Sequence, residues 1–169
     1  NDLMVMFVNL ELMSISTYIL CGVNRTSARS TESSLKYFIT GGASSALMVF
    51  GIALLYGSFG TTNLTRIAAV ALTDPQPAFH VFHLFAAACL LAGFFFKTGV
   101  FPFHAWMPDV YQGAPTPVTG FMAAGVRVAA VTVLIRIFID VFAPYGEHWT
   151  SILWWSAVLT MTAGNLSAL

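Results

Sequence analysis

In Leu90-Leu91-Ala92-Gly93-Phe94-Phe95-Phe96-Lys97-Thr98-Gly99-Val100-Phe101-Pro102 a lone cation closes an apolar run, and a proline follows it within two helical turns. Pro102 has no N–H to offer the carbonyl of Thr98, and its ring crowds that turn, so a helix running through Lys97 is expected to break here. A break inside a membrane frees backbone carbonyls, which is tolerated only where protein or water satisfies them. The end of the first half-helix is also the negative end of its dipole, a favourable place for a cation. Lysine is the cation whose protonation responds to burial, so it can hold and release a proton. The competing reading is a lysine near a helix end that snorkels to the headgroups.

The rest of the chain supplies the membrane that this reading needs. Of its 169 residues 57% are hydrophobic and 8% charged, with a mean hydropathy of +0.79. A soluble domain carries about 25% charged residues, so this one has too little polar surface to cover its outside, and lipid is the simplest solvent for the excess. Basic and acidic residues number 7 each, a balance that gives no indication of nucleic acid or an anionic partner. Cys21 and Cys89 lie far apart in apolar surroundings without a C-x-x-C, which excludes a self-contained iron–sulfur or zinc site and reads as packed thiols. The chain begins at Asn1 rather than Met and starts and stops within apolar runs, so it is expected to be a membrane-domain fragment, 1–169, of a longer protein, with no recognisable signal peptide.

A bilayer core about 30 Å thick needs roughly 20 helical residues. Five stretches qualify: Leu3–Val23, Leu35–Gly57, Ala78–Phe101, Pro117–Phe142 and Trp149–Leu169. The expected fold is therefore all-α, a polytopic transmembrane bundle with one proline-broken helix. Pro102, Pro108, Pro115 and Pro117 punctuate the segment after the break, yet Phe103, Trp106, Val110 and Tyr111 make it too apolar for a free loop. It reads as a short second half-helix, Phe103–Tyr111, and then a rigid extended stretch. Leu64–Leu72 reads as a short interfacial helix that Asp74-Pro75 stops. Arg25, Arg29 and Lys36 outweigh Glu32, which by the positive-inside rule makes the loop 24–34 cytoplasmic. Alternation then puts 58–77 outside, 102–116 inside and 143–148 outside.

Most of the few charges fall in loops, where solvation explains them, and the informative ones are Glu11, Lys97 and Arg127. Glu11 lies near the bilayer midplane, where a carboxylate is costly unless it is paired, hydrated or protonated. It serves either ion or proton transfer or a structural pair between helices. His104, close to the break, either passes protons near neutral pH or hydrogen-bonds a freed carbonyl. Asp109 reads as a cap or cytoplasmic-edge contact and Arg136 as a helix-end residue. His80 and His83 have metal-ligand spacing, but with no third ligand in view they read as interfacial histidines.

The run Lys97-x4-Pro102-Phe103-His104-x-Trp106-x-Pro108-Asp109-Val110-Tyr111-Gln112-Gly113-Ala114-Pro115-Thr116-Pro117-Val118-Thr119 strongly resembles the subunit N (mitochondrial subunit 2) family of proton-pumping NADH–quinone oxidoreductase, respiratory complex I, one of the antiporter-like membrane subunits. Glu11-Leu12-x-Ser14 with Tyr18, and Glu32-x-x-Leu35-Lys36-Tyr37-Phe38, carry the likeness further, and it extends through all five spans. The resemblance implies an inverted-repeat fold of about fourteen helices, of which these would be the fifth to the ninth. It implies a Glu11–Lys97 pair, a helix broken at Lys97, and onward proton transfer through Lys36 and the residue at 127. Position 127 is Arg where the family usually has Lys. Arginine effectively never deprotonates, so Arg127 is expected to act as a fixed charge tuning Lys97, with water or His104 conducting.

The function so implied is proton translocation in an integral subunit of the bacterial inner (plasma) membrane, coupled to electron transfer in partner subunits. Nothing in the sequence has the pattern of a dinucleotide or iron–sulfur site, so NADH, FMN, iron–sulfur clusters and quinone are expected in the partners. The expected partners of this chain are other membrane subunits of complex I, the lipid bilayer and protons, without nucleic acid. A stand-alone multi-subunit cation/proton antiporter subunit is the alternative, and a scaffold whose buried charges only fix helix register is the third.

Overall fold

The computed structural model describes residues 1–73, 80–143 and 146–167, and the described residues are built almost wholly of helix. α1 spans Leu3–Cys21, α2 Ala28–Phe59, α3 Leu64–Thr73 and α4 His80–Thr98. α5, Met107–Gly113, is followed by α6, Thr116–Phe121, which passes through a π turn at Met122–Val126 into α7, Arg127–Asp140; α8 is Gly146–Ser167. Among the described residues four helices are long and apolar enough to cross a membrane, namely α1, α2, α4 and the joined rod Thr116–Asp140. α8 has the length, at 22 residues, but Thr150, Ser151, Ser156, Thr160, Thr162 and Asn165 dilute its apolarity. The sequence count of five spans is thus four strong ones and a weaker fifth.

Local chemistry sets the boundaries. Asp2 caps α1 by accepting from the backbone N–H groups of Met4 and Val5. Its other oxygen accepts from Thr62, and these hydrogen bonds, Thr62 foremost, hold the Asp2 carboxyl below the usual carboxylate range. Ser27 caps α2, which begins well before the expected Leu35. Arg29 and Glu32 therefore stand on a helix and not in a loop, because the Ser27 cap recruits a polar first turn that hydropathy alone does not recognise.

Apolar side chains give little drive for helix association in lipid, so packing there relies on close contact and hydrogen bonds between helices. α2 is the hub, packed most extensively against α4 and also against α1 and α5. Its serines donate outward. Ser30 reaches the Cys21 carbonyl (2.6 Å) and Ser34 that of Tyr18 (2.7 Å), both on α1. Ser44 reaches Gly93 on α4 (3.0 Å), and Ser33 reaches Val110 on α5 (2.9 Å). A side chain on Gly113 would meet the Arg29 carbonyl oxygen at 2.5 Å, so α5 lies hard against α2 only because that position is glycine.

Two apolar clusters result. One gathers Leu10, Met48, Ile52, Leu90, Phe94, Ala130 and Phe138 from α1, α2, α4 and α7. The other gathers Tyr18, Tyr37, Phe96, Trp106, Val110 and Met122. Along α1 the side chains of Val5, Val8, Leu12, Ile15 and Ile19 remain exposed, a continuous apolar flank suited to lipid or to further helices. Contacts define two ends of the bundle. Lys36 meets Asp109 at one, while Leu3 pairs with Thr62 and Leu64 with Asn1 at the other.

Candidate functional site

The break after Lys97 is real but begins earlier than Pro102. α4 stops at Thr98 because Gly99 takes a left-handed backbone, φ 74°, which a residue with a Cβ rarely adopts. Gly99 N–H then donates to the Phe96 carbonyl (3.1 Å) and Val100 N–H to that of Phe95 (2.8 Å), the paired bonds of a glycine-ended helix. Pro102 lies beyond this cap and keeps the chain from resuming the helix. The expected half-helix Phe103–Tyr111 is shorter and later, Met107–Gly113, since residues 101–106 form turns. Side chains add hydrogen bonds around the break. Trp106 Nε1 donates to Phe96 (3.2 Å) and the Thr98 hydroxyl to Phe94 (2.7 Å), while Phe101 N–H is taken by Thr160 on α8 (3.0 Å).

Lys97, in the last turn of α4, points back into the bundle. Its Nζ is 2.6 Å from Glu11 Oε1, and the two side chains are 5% and 17% exposed. A lysine so placed does not snorkel, so that reading falls. A second hydrogen bond runs from Lys97 Nζ to Ser14 Oγ (2.9 Å), and the Ser14 hydroxyl in turn donates to the Leu10 carbonyl (2.8 Å). Ser14 is uncharged, and its signal in the sequence is its spacing: it stands three residues from Glu11, on the same face of α1.

The other sequence candidates lie apart from this pair. Lys36 forms ion pairs with Glu32 and Asp109, both at 2.6 Å, in a solvent-facing cluster where its own side chain is 42% exposed. With Arg29 and Gln112 these groups line a polar cavity at the end of the bundle where α5 meets α2. His104 sits in the turns after the break beside Phe101, with its Nδ1 buried and without a hydrogen bond among the described residues. It lines a cavity of about 340 Å³ together with Met107, Tyr111, Arg127 and Thr160. The Arg127 guanidinium lies 5.4 Å over the Tyr111 ring and also contacts Met107 Sδ. His104 is thus grouped with Arg127, and it is not among the hydrogen-bond partners of Lys97.

Arg136 pairs with Asp140 one turn on, 3.7 Å away, and contacts Asn1, in keeping with a helix-end role. His83 is buried and stacked on Phe59, the last residue of α2, at 4.6 Å. The side chain of His80 lies outside the described residues. Among the described residues no group of three or more His, Cys, Asp or Glu is placed to hold a metal ion.

Comparison with known proteins gives the family and the fold. The family described as NADH:quinone oxidoreductase/Mrp antiporter, transmembrane, matches residues 1–169. NADH-quinone oxidoreductase subunit N of Trichlorobacter lovleyi is 45% identical over 169 residues, covering 100% of this chain and 34% of that protein. Its counterpart in Mycobacterium tuberculosis is 47% identical over 171 residues, covering 99% of this chain and 31% of the other. The chain thus spans about a third of the length of these relatives. A chain of respiratory complex I from Thermus thermophilus, solved with bound aureothin, is similar in structure with a TM-score of 0.67 and 38% identity, over 80% of this chain and 29% of that one. A chain of the Mrp complex from Dietzia sp. gives a TM-score of 0.75 at 25% identity, over 90% of this chain and 28% of that one.

Proposed function

The chain belongs to the NADH:quinone oxidoreductase/Mrp antiporter family of transmembrane proteins, and on that premise we propose that it is a proton-translocating part of subunit N of an NADH–quinone oxidoreductase. The observation that carries the proposal is the buried Lys97–Glu11 pair at 2.6 Å, set at the end of a broken helix inside an apolar bundle. Breaking a buried ion pair by removing one partner costs about 3–5 kcal/mol, because the other charge is left uncompensated. Drawing Glu11 away from Lys97 therefore favours loss of the lysine proton, and restoring the contact favours its recapture. That makes the pair a switch whose two states differ in proton occupancy.

The released proton passes towards the cavity shared by His104 and Arg127. Arg127 acts there as a permanent positive charge that discourages a proton from resting, and His104 offers a titratable nitrogen at the break. Lys36, with Glu32 and Asp109, belongs to the exposed end of the route on the cytoplasmic side of a bacterial inner membrane. Electron transfer, with its NADH, FMN, iron–sulfur clusters and quinone, belongs to partner subunits, and the signal that separates Glu11 from Lys97 reaches this chain through neighbouring membrane subunits.

In membrane vesicles bearing the complete complex, Lys97→Ala is expected to leave an assembled enzyme with NADH-driven proton uptake depressed severalfold, read by quenching of a pH-sensitive dye. Pumping at the wild-type level would overturn the role. The likeness in fold to the Mrp complex chain favours a second reading, a cation/proton antiporter subunit that works without redox partners. Exchange driven by an imposed cation gradient, in vesicles that show no NADH-driven pumping, would select it.

A further inference from the structure

Ser14 is the second group on Lys97, and nothing in the switch described so far uses it. Its hydroxyl is fully inside the bundle, with the residue 1% exposed. The geometry fixes its direction: the O–H is donated to the Leu10 carbonyl at 2.8 Å, which turns the oxygen lone pairs towards Lys97 Nζ at 2.9 Å. As drawn, Ser14 is an acceptor for an ammonium. The Leu10 carbonyl also accepts the backbone N–H of Ser14 in the helical ladder of α1, so it keeps a donor when the hydroxyl turns away. The hydroxyl is free to rotate about its C–O bond at little cost, after which the same oxygen donates its hydrogen to an uncharged lysine nitrogen.

We propose that Ser14 is a positioning residue for the Glu11–Lys97 pair, its hydroxyl accepting from Lys97 when the lysine is an ammonium and donating to it when the lysine is an amine. No covalent bond to Ser14 forms or breaks; the proton that leaves Lys97 goes to the acceptor on its route, and the Ser14 hydrogen bond changes direction only. A carboxylate alone does not do this, since ionised Glu11 can only accept. Without Ser14 the deprotonated amine loses its donor, and the side chain has no fixed place from which to recapture a proton from Glu11's side of the bundle. Among the other titratable groups, Tyr18 lies one turn on along α1, within reach of the Ser14 hydroxyl and of the Glu11 charge, and packs edge-on against Tyr37 of α2 at 4.5 Å. Arg127 and His104 line the separate cavity.

This inference rests on the reading of Lys97 as a proton carrier. The test therefore runs Lys97→Ala beside three Ser14 variants in the complete complex, in membrane vesicles, measuring protons taken up per NADH oxidised together with NADH turnover. Ser14→Cys is nearly isosteric but a poor hydrogen-bonding partner, Ser14→Ala removes the group, and Ser14→Thr keeps the hydroxyl while adding a methyl. Cys and Ala are expected to lower coupled proton uptake on the order of tenfold, the scale of one hydrogen bond to a charged group, while Thr retains most of it. Wild-type coupling in Cys, or in Ala, overturns the proposal, and so does Thr falling as far as Cys, which would mean that volume and not the hydroxyl matters. If Lys97→Ala itself pumps normally, the proton-carrier reading falls and Ser14 falls with it; if only the Ser14 variants are silent, that reading stands and the positioning role alone is lost.

Discussion

In the proposed proton route Arg127 is the residue whose chemistry fits least. Its guanidinium cannot give up a proton, yet it is held over Tyr111 and against Met107 beside the cavity that contains His104. A fixed charge needs only its position and sign. Arg127→Lys is therefore expected to preserve or raise NADH-driven pumping, whereas Arg127→Ala is expected to reduce it severalfold, both measured in vesicles by dye quenching; severe loss in the lysine variant would show that the planar guanidinium on Tyr111 is itself required. At this scale the sequence was informative where charge was out of place. Glu11 and Lys97 stood out because lipid makes any charge conspicuous. Ser14 did not, because an uncharged hydroxyl in an apolar helix has many bland explanations, the commonest being a bond to its own helix carbonyl four residues back, and that bond is present too. His104 was legible as a polar group near the break but not in its grouping, since seven residues of spacing say nothing once the helix between them is interrupted.

Among the elements, the interruption of α4 separates two effects that proline and glycine have in common. Proline was legible as the breaker, and the break exists, but the turn that ends the helix belongs to Gly99, whose φ of 74° releases Val100 to reach back to Phe95. Gly99→Ala forces a Cβ into that conformation, at about 1–2 kcal/mol for the left-handed backbone alone, and into Met107 besides. A lowered midpoint of thermal unfolding in detergent is expected for it. Gly120→Ala is the control, expected to leave the midpoint unchanged or raised, because a Cβ at Gly120 meets nothing within 4 Å. The early start of α2 and its row of outward-donating serines were not legible, since hydropathy weighs serine as a mild interruption when in this bundle it is a fastener between helices.

Over the molecule as a whole, the alternation of spans follows from length and apolarity alone, and the contacts agree with it. Residues 24–36 and α5 gather at one end, the start of α1 and residues 62–64 at the other. In the complete complex, Arg25→Cys and Thr61→Cys are expected to react with a membrane-impermeant thiol reagent from opposite faces of sealed vesicles, with Cys21 and Cys89 silent because both are buried. Labelling of both introduced thiols from one face would break the alternation. α8 was the least legible span, for its hydroxyls interrupt its apolar run, and two of them, on Ser156 and Thr160, turn towards the bundle, where Thr160 serves the broken helix directly.

The partners in the central ion pair are 86 residues apart in the chain. At a synthesis rate of about 5–20 residues per second, the ribosome makes the glutamate roughly 4–17 seconds before the lysine. α1 must therefore leave the insertion machinery carrying a carboxylate whose counter-charge does not yet exist, and that helix, with a mean hydropathy of 1.7 even with the glutamate counted, has to bring it into lipid unaided. The proposed switch therefore comes into being only when α4 joins α1, so variants that delay α4 should be found first as failures of insertion and only later as failures of pumping.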